Sequence, residues 1–533
     1  MTAKPGIAPI SRSLSKAALF EPARRCAPSD ALWHGGNETP PQVKNEIMKT
    51  KNLFPCLGKA LIRSWILPAL IAALKLLPAG RVTAQTFTTL HSVTGGVSRF
   101  GGLVLSSNTL YGTTYWWDDN GGGYGTVFAI STDGTDFRNL PGASMAGLIV
   151  SGNTLYGTMP GDSQPFSGNS TVFSVNTDGT GFTNLHTFAS VPDYGPFINA
   201  DGTQPRAGVI LSGNTLYGTA YFGGPGGDGT VFAVKTNGTG FTVLHSFTGG
   251  SDGENPVAGL ILSGNTLYGT TPYAGSSVYP GYGNVFAVST DGTGFTNLHS
   301  FTAPHTNSSG VYTNSDGAEP DAGLILSGST LYGTANYGGS SGRGTVFAVK
   351  TNGTGFTNVY SFTAAPYGTN SDGANPQAGL ILVGNTLYGT ALYGGSSGQG
   401  TVFAVNTNGT GFTNLHSFTG ASDGGNPSAG LVLSGSTLYG TAVNGGSSGT
   451  VFSLSFRPQL TITPSGVPPS GIILTWPTNV AGFDYTGYTL QSTTNLVSPA
   501  VWSTNSPAPV VIAGQNTVTN SITAAQQFYR LIR

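Results

Sequence analysis

The 533-residue sequence predicts an all-β protein, a seven-bladed β-propeller closed by an N-terminal strand and followed by a small β-sandwich domain. A segment that ends in Tyr-Gly-Thr recurs at intervals of 45 to 64 residues, and a Val-Phe pair follows each copy. Each interval has room for four short strands, a length typical of kelch-like propeller blades. The recurring tyrosines are Tyr111, Tyr156, Tyr217, Tyr268, Tyr332, Tyr388 and Tyr439.

The first 84 residues read as a leader that precedes the folded protein. Residues 1–47 show no periodicity and are expected to be a non-native or disordered extension, whereas residues 48–84 have the pattern of a signal peptide. Lysines follow Met48, the apolar run 65–77 comes next, and "VTAQ" predicts cleavage between Ala84 and Gln85. The alternative is a membrane-spanning helix, but that needs about 20 apolar residues and this run contains Lys75. We therefore expect export, to the periplasm, the cell surface or the medium.

Removal of the leader changes the charge of the chain. Residues 85–533 keep 9 basic and 18 acidic residues, a formal net charge of −9, against −1 for the whole sequence. An acidic surface repels phosphate backbones, so nucleic acid is an unsuitable partner. Both cysteines, Cys26 and Cys56, lie in the leader, which excludes disulfides and thiolate metal sites from the mature chain. No pattern in the sequence indicates a cofactor.

Repeat 4 illustrates the four strands predicted in each unit. "AGLILSG" (258–264) and "TLYGT" (266–270) are joined by Ser-Gly-Asn, while "VFAV" (285–288) and "FTNLHSF" (295–301) are joined by an Asp-Gly-Thr-Gly turn. These turn residues tolerate the positive φ of tight hairpins. The third strand is apolar on both faces, as expected for a sheet packed between two other sheets. A β-solenoid is the alternative, although its coils are usually shorter and more uniform.

The two ends of the repeat array complement each other. Residues 86–96, "TFTTLHSVTGG", match a fourth strand, yet no first strand precedes them. The seventh unit stops after its third strand at Phe456. We therefore predict that the N-terminal strand completes the seventh blade and closes the ring, which removes an exposed sheet edge.

Residues 458–533 are predicted to form a separate β-sandwich. A Pro/Ser/Gly-rich stretch follows Phe456, and short alternating runs come after it, with Trp476 and Tyr488 placed for a core. The "LTWP" and "GYTLQST" strands and the late Tyr529 resemble a fibronectin type III domain, although the chain ends where a last strand would begin.

The pattern "GLILSGNTLYGT" followed by "GTVFAV" and "GTGFTNLHSF" resembles the Gloeo/Verruco (GloVer-type) tandem repeat over residues 86–456. This resemblance implies an exported bacterial protein with a propeller-like fold. It implies no catalytic residue and no ligand.

Two polar residue types recur with the repeat, and each has two interpretations. Histidines in the fourth strand could be metal ligands, but they fall on different blades and Tyr360 replaces one, which favours packing or hydrogen bonding. Aspartates before the first strand could form a Ca²⁺-binding ring near the channel, but an Asx-type turn is favoured. The histidines are His91, His186, His245, His299 and His416, and the aspartates are Asp201, Asp252, Asp316, Asp372 and Asp423.

The candidate ligand-binding residues are aromatic. They follow Tyr-Gly-Thr in loops that vary between units, on one face of the predicted disc, where exposed rings could stack on sugars or anchor a protein. Packing at the blade ends is the favoured interpretation for any single residue, although less so for Trp116 and Trp117 beside Asp118 and Asp119. The candidates are Tyr115, Trp116, Trp117, Tyr221, Tyr273, Tyr337 and Tyr393.

The sequence favours a non-catalytic binding or surface-interaction protein with a glycan or protein ligand. The alternatives are a polysaccharide-active enzyme and a structural spacer of the cell envelope. An enzyme could draw paired carboxylates from Glu254, Glu319, Asp118 and Asp119, but no spacing favours such a pair.

Overall fold

The computed structural model describes residues 85–532 except 94–98, 118–122, 143–145, 162–169, 192–196, 274–280, 446–448, 467–470, 481, 495, 497–499, 505–507 and 522–526. The predicted leader, with both cysteines, lies outside these residues. The described part of the chain is a β-propeller-like all-β fold, and none of its helices has the length and apolarity needed to cross a bilayer.

Each repeat contributes one antiparallel sheet in which the strands are ordered as in the chain. The first strands are Val104–Ser106, Ile149–Ser151, Ile210–Ser212, Ile261–Ser263, Ile325–Ser327, Ile381–Val383 and Val432–Ser434. The second strands are Thr109–Trp117, Thr154–Met159, Thr215–Ala220, Thr266–Thr271, Thr330–Ala335, Thr386–Ala391 and Thr437–Ala442. The third strands are Gly123–Ser131, Thr171–Asn176, Thr230–Lys235, Asn284–Ser289, Thr345–Lys350, Thr401–Asn406 and Thr450–Phe456. The fourth strands are Arg138–Leu140, Thr183–Thr187, Thr242–Ser246, Thr296–Ser300, Thr357–Ser361 and Thr413–Ser417.

The N-terminal strand Gln85–Ser92 is the fourth strand of the seventh sheet. It pairs antiparallel with Thr450–Phe456, from Gln85 opposite Phe456 to Ser92 opposite Thr450. The pairing predicted from the two ends of the array is therefore present. Short additional elements are the strand Arg99–Phe100, the hairpin of His305–Thr306 with Tyr312–Thr313, and the 3₁₀ turn Pro366–Gly368.

The Tyr-Gly-Thr motif is explained by three contacts, seen in repeat 4. Tyr268 packs in a cluster with Leu324 and other residues of repeat 5. Gly269 lies opposite Phe286, and a Cβ there would lie 2.5 Å from the Phe286 ring. The Thr270 hydroxyl donates to the Ala322 carbonyl of the next repeat at 3.0 Å. The motif therefore joins neighbouring sheets, which is why it recurs.

The first strand is shorter than predicted, because only Ile261–Ser263 of "AGLILSG" joins the ladder of repeat 4. The preceding Ala-Gly-Leu segments make contacts between repeats instead. A Cβ at Gly323 would lie 3.2 Å from the Gly259 carbonyl oxygen of the repeat before it, so a side chain there would crowd the neighbouring backbone.

Hydrophobic clusters form between sheets and not within them. Each of seven clusters of described residues combines side chains from two repeats, and in six of the clusters these repeats are consecutive in the chain. One of them unites Leu110 and Phe128 of repeat 1 with Tyr439 and Val451 of repeat 7. The first and last repeats are therefore packed against each other.

The C-terminal segment forms two main sheets and belongs to the same compact unit as the repeats. One sheet contains Thr461–Ser465, Gly471–Pro477, Gln515–Ser521 and Val510–Ile512, and the other contains Ser503–Thr504, Thr489–Thr493 and Phe528–Ile532. A short hairpin of Asn479–Val480 with Phe483–Asp484 completes the segment. Trp476 is fully buried in its core with Leu474, Leu490 and Val518, as predicted.

The hairpin attaches the C-terminal segment to repeats 6 and 7. Phe483 and Tyr485 are buried in the same cluster as Tyr388 and Phe456, with Val383 at its edge. The Tyr485 hydroxyl donates to the Phe456 carbonyl at 3.0 Å. Val383 precedes the turn between the first and second strands of repeat 6, so the segment covers part of the face formed by the short turns, which we call the short-turn face.

Candidate functional site

The recurring histidines and aspartates bind each other between the fourth strand and the following loop. His245 Nε2 lies 3.1 Å from Asp252 Oδ2, and the same carboxylate accepts hydrogen bonds from the backbone N–H and the hydroxyl of Thr248. Equivalent pairs are His186 with Asp201, His299 with Asp316, and His416 with Asp423. In repeat 5 the Tyr360 hydroxyl donates to Asp372 at 2.8 Å.

Each paired ring also stacks on a phenylalanine of the next repeat. The ring centroids of His245 and Phe295 are 3.8 Å apart with an interplanar angle of 9°. At the ends of the array, His416 stacks on Phe87 and His91 stacks on Phe137. The histidines therefore make the packing and hydrogen-bonding contacts that the sequence favoured. Within the described ranges, no three His, Cys, Asp or Glu side chains come together as metal ligands.

The connections between the second and third strands, and between the fourth strand and the next repeat, emerge on the other edge of the sheets. We call this surface the variable face. Its recurring feature is a pair of backbone hydrogen bonds that join the two connections of one repeat, as between Ala318 and Tyr337. The residues placed like Tyr337 in repeats 3, 4, 6 and 7 are Phe222, Tyr273, Tyr393 and Asn444.

The predicted aromatic candidates divide into three groups in the structure. Tyr337 and Tyr393 are 45 % and 49 % exposed, whereas Tyr221 and Tyr273 are half-buried. Tyr115 is only 4 % exposed, which agrees with the packing interpretation for this residue. The cause is that the second strand of repeat 1 continues to Trp117, which places Tyr115 inside the ladder.

Trp116 and Trp117 form the end of that long strand, where they pair with Tyr124 and Gly123. Their side chains lie outside the described residues, as do Asp118 and Asp119. Their assignment as a ligand anchor remains a prediction from the sequence.

We call Tyr273, Tyr337 and Tyr393 the tyrosine row, because they occupy one position in repeats 4, 5 and 6. The pKa of Tyr273 is raised to about 12, mainly by burial and to a smaller extent by the negative charges of Glu319 and Asp321. Burial and the same two carboxylates also raise the pKa of Tyr337. The hydroxyls of Tyr273 and Tyr337 are therefore neutral hydrogen-bonding groups at physiological pH. Next to the row, the guanidinium of Arg206 lies 3.5 Å from the Tyr221 ring centroid.

In five inter-repeat loops the residue before a proline has a positive φ, between 51° and 57°. This conformation is strained for any residue other than glycine and is disfavoured before proline, although asparagine tolerates it best. In three repeats the residue is asparagine, and its Nδ2 donates to a carbonyl of the preceding repeat. The five residues are Gln204, Asn255, Glu319, Asn375 and Asn426.

A pair of carboxylates lies between repeats 3 and 4. A Cβ at Gly249 would lie 3.0 Å from Asp228 Oδ2 and 3.3 Å from Glu254 Oε2, so both carboxylates flank this glycine. Burial is the main cause of the raised pKa of Asp228, and the Asp252 carboxylate adds to it. Burial is also the main cause of the raised pKa of Glu254, and the Asp228 carboxylate adds to it. Sequence reasoning selected Glu254 but missed Asp228, because the position of Asp228 is occupied by residue types other than aspartate in the other repeats.

The sequence pattern of the Gloeobacter/Verrucomicrobia repeat matches residues 196–365 and 305–463, together just over half of the chain. The chain belongs to this repeat family. Repeats 1 and 2 lie outside the matched residues, although the resemblance was expected from residue 86 onward. None of the curated proteins compared with the chain matches it.

Solved propeller structures show weak likeness to the chain. A puromycin-hydrolyzing peptidase from Mycobacterium tuberculosis is 11 % identical with a TM-score of 0.42, over 71 % of this chain and 58 % of the peptidase, less than two thirds of its length. The β-propeller domain of the Trilobed protease from Pyrococcus furiosus is 10 % identical with a TM-score of 0.39, over 67 % of this chain and 95 % of that domain. A GH74 enzyme from Niastella koreensis is 12 % identical with a TM-score of 0.34, over 82 % and 85 % of the two chains. These likenesses carry no information about the chemistry of this chain.

Proposed function

We propose that this protein is an exported, non-catalytic carbohydrate-binding protein whose ligand contacts the tyrosine row on the variable face. The observation that carries the proposal is the exposure of Tyr337 and Tyr393 at one position of neighbouring repeats. An aromatic ring presents a flat apolar surface with a polar hydroxyl, a combination suited to a sugar ring and its hydroxyl groups. Equivalent positions on successive repeats suit the successive sugar units of a polymer.

The scaffold that we propose is a closed seven-bladed propeller over residues 85–457, with a fibronectin type III-like module over residues 458–533. Packing between repeats 1 and 7 and the pairing of Gln85–Ser92 with Thr450–Phe456 support closure. Export follows from the signal peptide predicted for residues 48–84, with Gln85 as the first mature residue.

The variable face suits ligand binding for two reasons. Its loops differ between repeats while the turns of the short-turn face repeat almost unchanged, and rigid scaffolds usually bind through their variable loops. In addition, the C-terminal hairpin is packed at repeats 6 and 7 beside a turn of the short-turn face.

The test is a glycan array followed by calorimetry on the full chain and a Tyr337→Ala/Tyr393→Ala variant. Loss of both rings should weaken binding of the selected glycan by roughly tenfold or more, since each tenfold corresponds to about 1.4 kcal/mol. Tyr367→Ala is the matched control, because Tyr367 is fully exposed and lies outside the row. Equal binding by the double variant and the wild type would contradict the proposal.

A second candidate function is polysaccharide hydrolysis, favoured by the Asp228 and Glu254 pair. Glycosidases use two neighbouring carboxyl groups, one protonated acid with a raised pKa and one ionised base or nucleophile, and burial raises the pKa of Asp228 and of Glu254. A reducing-sugar assay on the glycans bound in the array distinguishes the functions. Hydrolysis that is lost in both Asp228→Asn and Glu254→Gln would identify an enzyme, whereas binding without hydrolysis supports the first proposal.

A further inference from the structure

Three residues at the junction of repeats 4 and 5 depart together from the repeat pattern. Glu319 stands where other repeats have asparagine or glutamine, and Asp321 stands where they have Arg206, Val257, Gln377 or Ser428. Asn336 stands where they have Tyr221, Pro272, Leu392 or Val443. Together the three departures place two carboxylates and one amide on the variable face.

The fold brings Asn336 to Glu319 and Asp321, although Asn336 follows Asp321 by 15 residues in the sequence. The backbone N–H of Asn336 donates to the Glu319 carbonyl at 3.0 Å, and the Asn336 Nδ2 donates to Asp321 Oδ2 at 3.0 Å. The Glu319 N–H donates to the Tyr282 carbonyl of repeat 4 at 2.9 Å, which places the group at the junction. Tyr337 of the tyrosine row directly follows Asn336.

Glu319 is a poor choice for stability at its position. It has a φ of 55° before Pro320, a conformation that asparagine tolerates better. The asparagines at this position donate Nδ2 to carbonyls of Tyr221, Asn336 and Leu392 in the preceding repeats, and an ionised glutamate has no proton to donate. A residue that breaks a local rule without a structural gain indicates a functional role.

Asn336 provides an independent indication of a ligand. Asn336 as a whole is only 3 % exposed, yet its Oδ1 has no hydrogen-bond partner among the described residues. Buried polar atoms are nearly always satisfied, so a missing partner at this place is informative. The same amide group contacts Asp321 through Nδ2. The junction therefore offers hydrogen-bond acceptors to a ligand that supplies donors.

We propose that Glu319, Asp321 and Asn336 form a subsite that binds neutral or amino sugars beside Tyr337 and excludes polyanionic sugars. This inference rests on the proposed carbohydrate-binding function. Sugar hydroxyls and ammonium groups both donate hydrogen bonds to carboxylate and amide oxygens. A uronate would instead place its carboxylate next to those of Glu319 and Asp321, and the like charges would repel each other. Burial raises the pKa of Glu319, as expected for a carboxyl without full solvation before ligand binds.

The experiment uses three β-1,4-linked hexasaccharides, of glucose, glucosamine and mannuronate, in calorimetry with the full chain. The wild type is expected to bind the glucose or the glucosamine hexamer and to bind mannuronate at least about tenfold more weakly. Glu319→Asn should lose roughly tenfold in affinity while its Tm rises by a few degrees, because the repeat-typical hydrogen bond is restored. Gain of stability with loss of binding is a result that a structural role would not give.

Asp291→Asn is the matched control. It removes one negative charge from the short-turn face, where Asn237, Asn352 and Asn408 occupy the same turn position, and it should leave affinity unchanged. Glu319→Gln keeps the side-chain length and should also weaken binding, which preserves the test if the asparagine variant fails to fold.

The outcomes separate the inference from the function on which it rests. If Tyr337→Ala/Tyr393→Ala abolishes binding but both Glu319 variants bind normally, the subsite is wrong and the carbohydrate function stands. Equal affinity of the wild type for mannuronate and glucose hexamers would also overturn the subsite. Failure of the wild type to bind any of the three hexamers would overturn the subsite, whereas the absence of binding to every glycan of the array would overturn the carbohydrate function as well.

Discussion

At the scale of single residues, the recurring histidines contribute to the joints between repeats. His245 contacts Asp252 on one side and stacks on Phe295 of the next repeat on the other. Tyr360 makes both contacts in repeat 5, through its hydroxyl and its ring. A hydrogen-bond donor on a flat ring is therefore what the position requires.

Substitution of His245 tests this requirement. His245→Ala removes the ring and leaves a half-buried carboxylate with fewer donors, so the free energy of unfolding should fall by about 1–3 kcal/mol. His245→Tyr reproduces the natural residue of repeat 5 and should stay within about 1 kcal/mol of the wild type. Urea denaturation measures both, and equal losses in the two variants would contradict the role of the ring and its donor.

The same joints should make stability dependent on pH. Burial opposes ionisation of Asp252 and Asp316, but hydrogen bonds from His245 or His299 and from threonines outweigh it and lower both pKa values. These aspartates bind protons more readily in the unfolded chain than in the folded protein. Their contribution to the free energy of unfolding is therefore complete above the unfolded pKa of about 3.9 and is lost as pH falls through the folded pKa. Denaturation at pH 7, 5, 4 and 3 should show the decline mainly below about pH 4.

His416 adds a dependence at higher pH. Burial lowers its pKa, although Asp423 opposes the shift. The folded state therefore favours the neutral ring, so stability is complete above the unfolded pKa of about 6.5 and decreases as pH falls below it. His416→Tyr should remove this part of the profile between pH 7 and 5. An unchanged slope in that variant would assign the effect to other groups.

At the scale of elements, the sequence predicted most of the ladder but not its junctions. The positive φ of Gly264 and the full burial of Val285 and Phe286 follow from turn chemistry and from an apolar third strand. The shorter first strand follows from contacts with the next repeat, which residue types alone do not reveal. Asn336 and Glu319 lie side by side only because the Ala318–Tyr337 bridge sets their register. The sequence therefore could not predict that Glu319, Asp321 and Asn336 lie together.

Deletion of the strand Gln85–Ser92 tests its role in repeat 7. The third strand Thr450–Phe456 would lose one of its two hydrogen-bonded neighbours, and His416 would lose the stacked Phe87. We expect a lower Tm and concentration-dependent aggregation, since an exposed central strand can pair with another chain. Removal of Ser308, Ser309 and Gly310 from an exposed hairpin tip is the control. Equal effects of the two deletions would contradict the role of the N-terminal strand.

At the scale of the whole molecule, repeat 1 has the least regular joints. Six threonines of the Tyr-Gly-Thr motif donate to the alanine carbonyl of the next repeat, whereas the Thr441 hydroxyl, which faces repeat 1, has no partner among the described residues. At the other joint, Pro141 replaces the stacking histidine. Hydrogen exchange should therefore be faster in Arg138–Leu140 than in Thr357–Ser361, its counterpart in repeat 5. Equal protection of the two strands would show that the hydrophobic clusters alone set local stability.

The attachment of the C-terminal segment accounts for one more departure from the repeat. Val383 stands where the other first strands have serine, and it packs at the edge of the cluster that contains Phe483 and Tyr485. A Cβ at Gly482 would lie 2.9 Å from the Val383 carbonyl oxygen, so the two backbones are in close contact. The serine-to-valine change therefore provides apolar surface where the hairpin binds.

Val383→Ser should loosen this attachment without unfolding the repeats. Loss of the apolar contact is expected to reduce the hydrogen-exchange protection of Phe483–Asp484 by roughly tenfold, while the strands of repeats 3 to 5 keep theirs. Ser212→Val makes the reverse change at the same position of repeat 3 and should leave the hairpin unaffected. Binding at the tyrosine row should also persist in Val383→Ser, because the contact lies on the short-turn face. If affinity for the glycan fell with hairpin protection, the C-terminal segment would be part of the binding site and the two faces would not act independently.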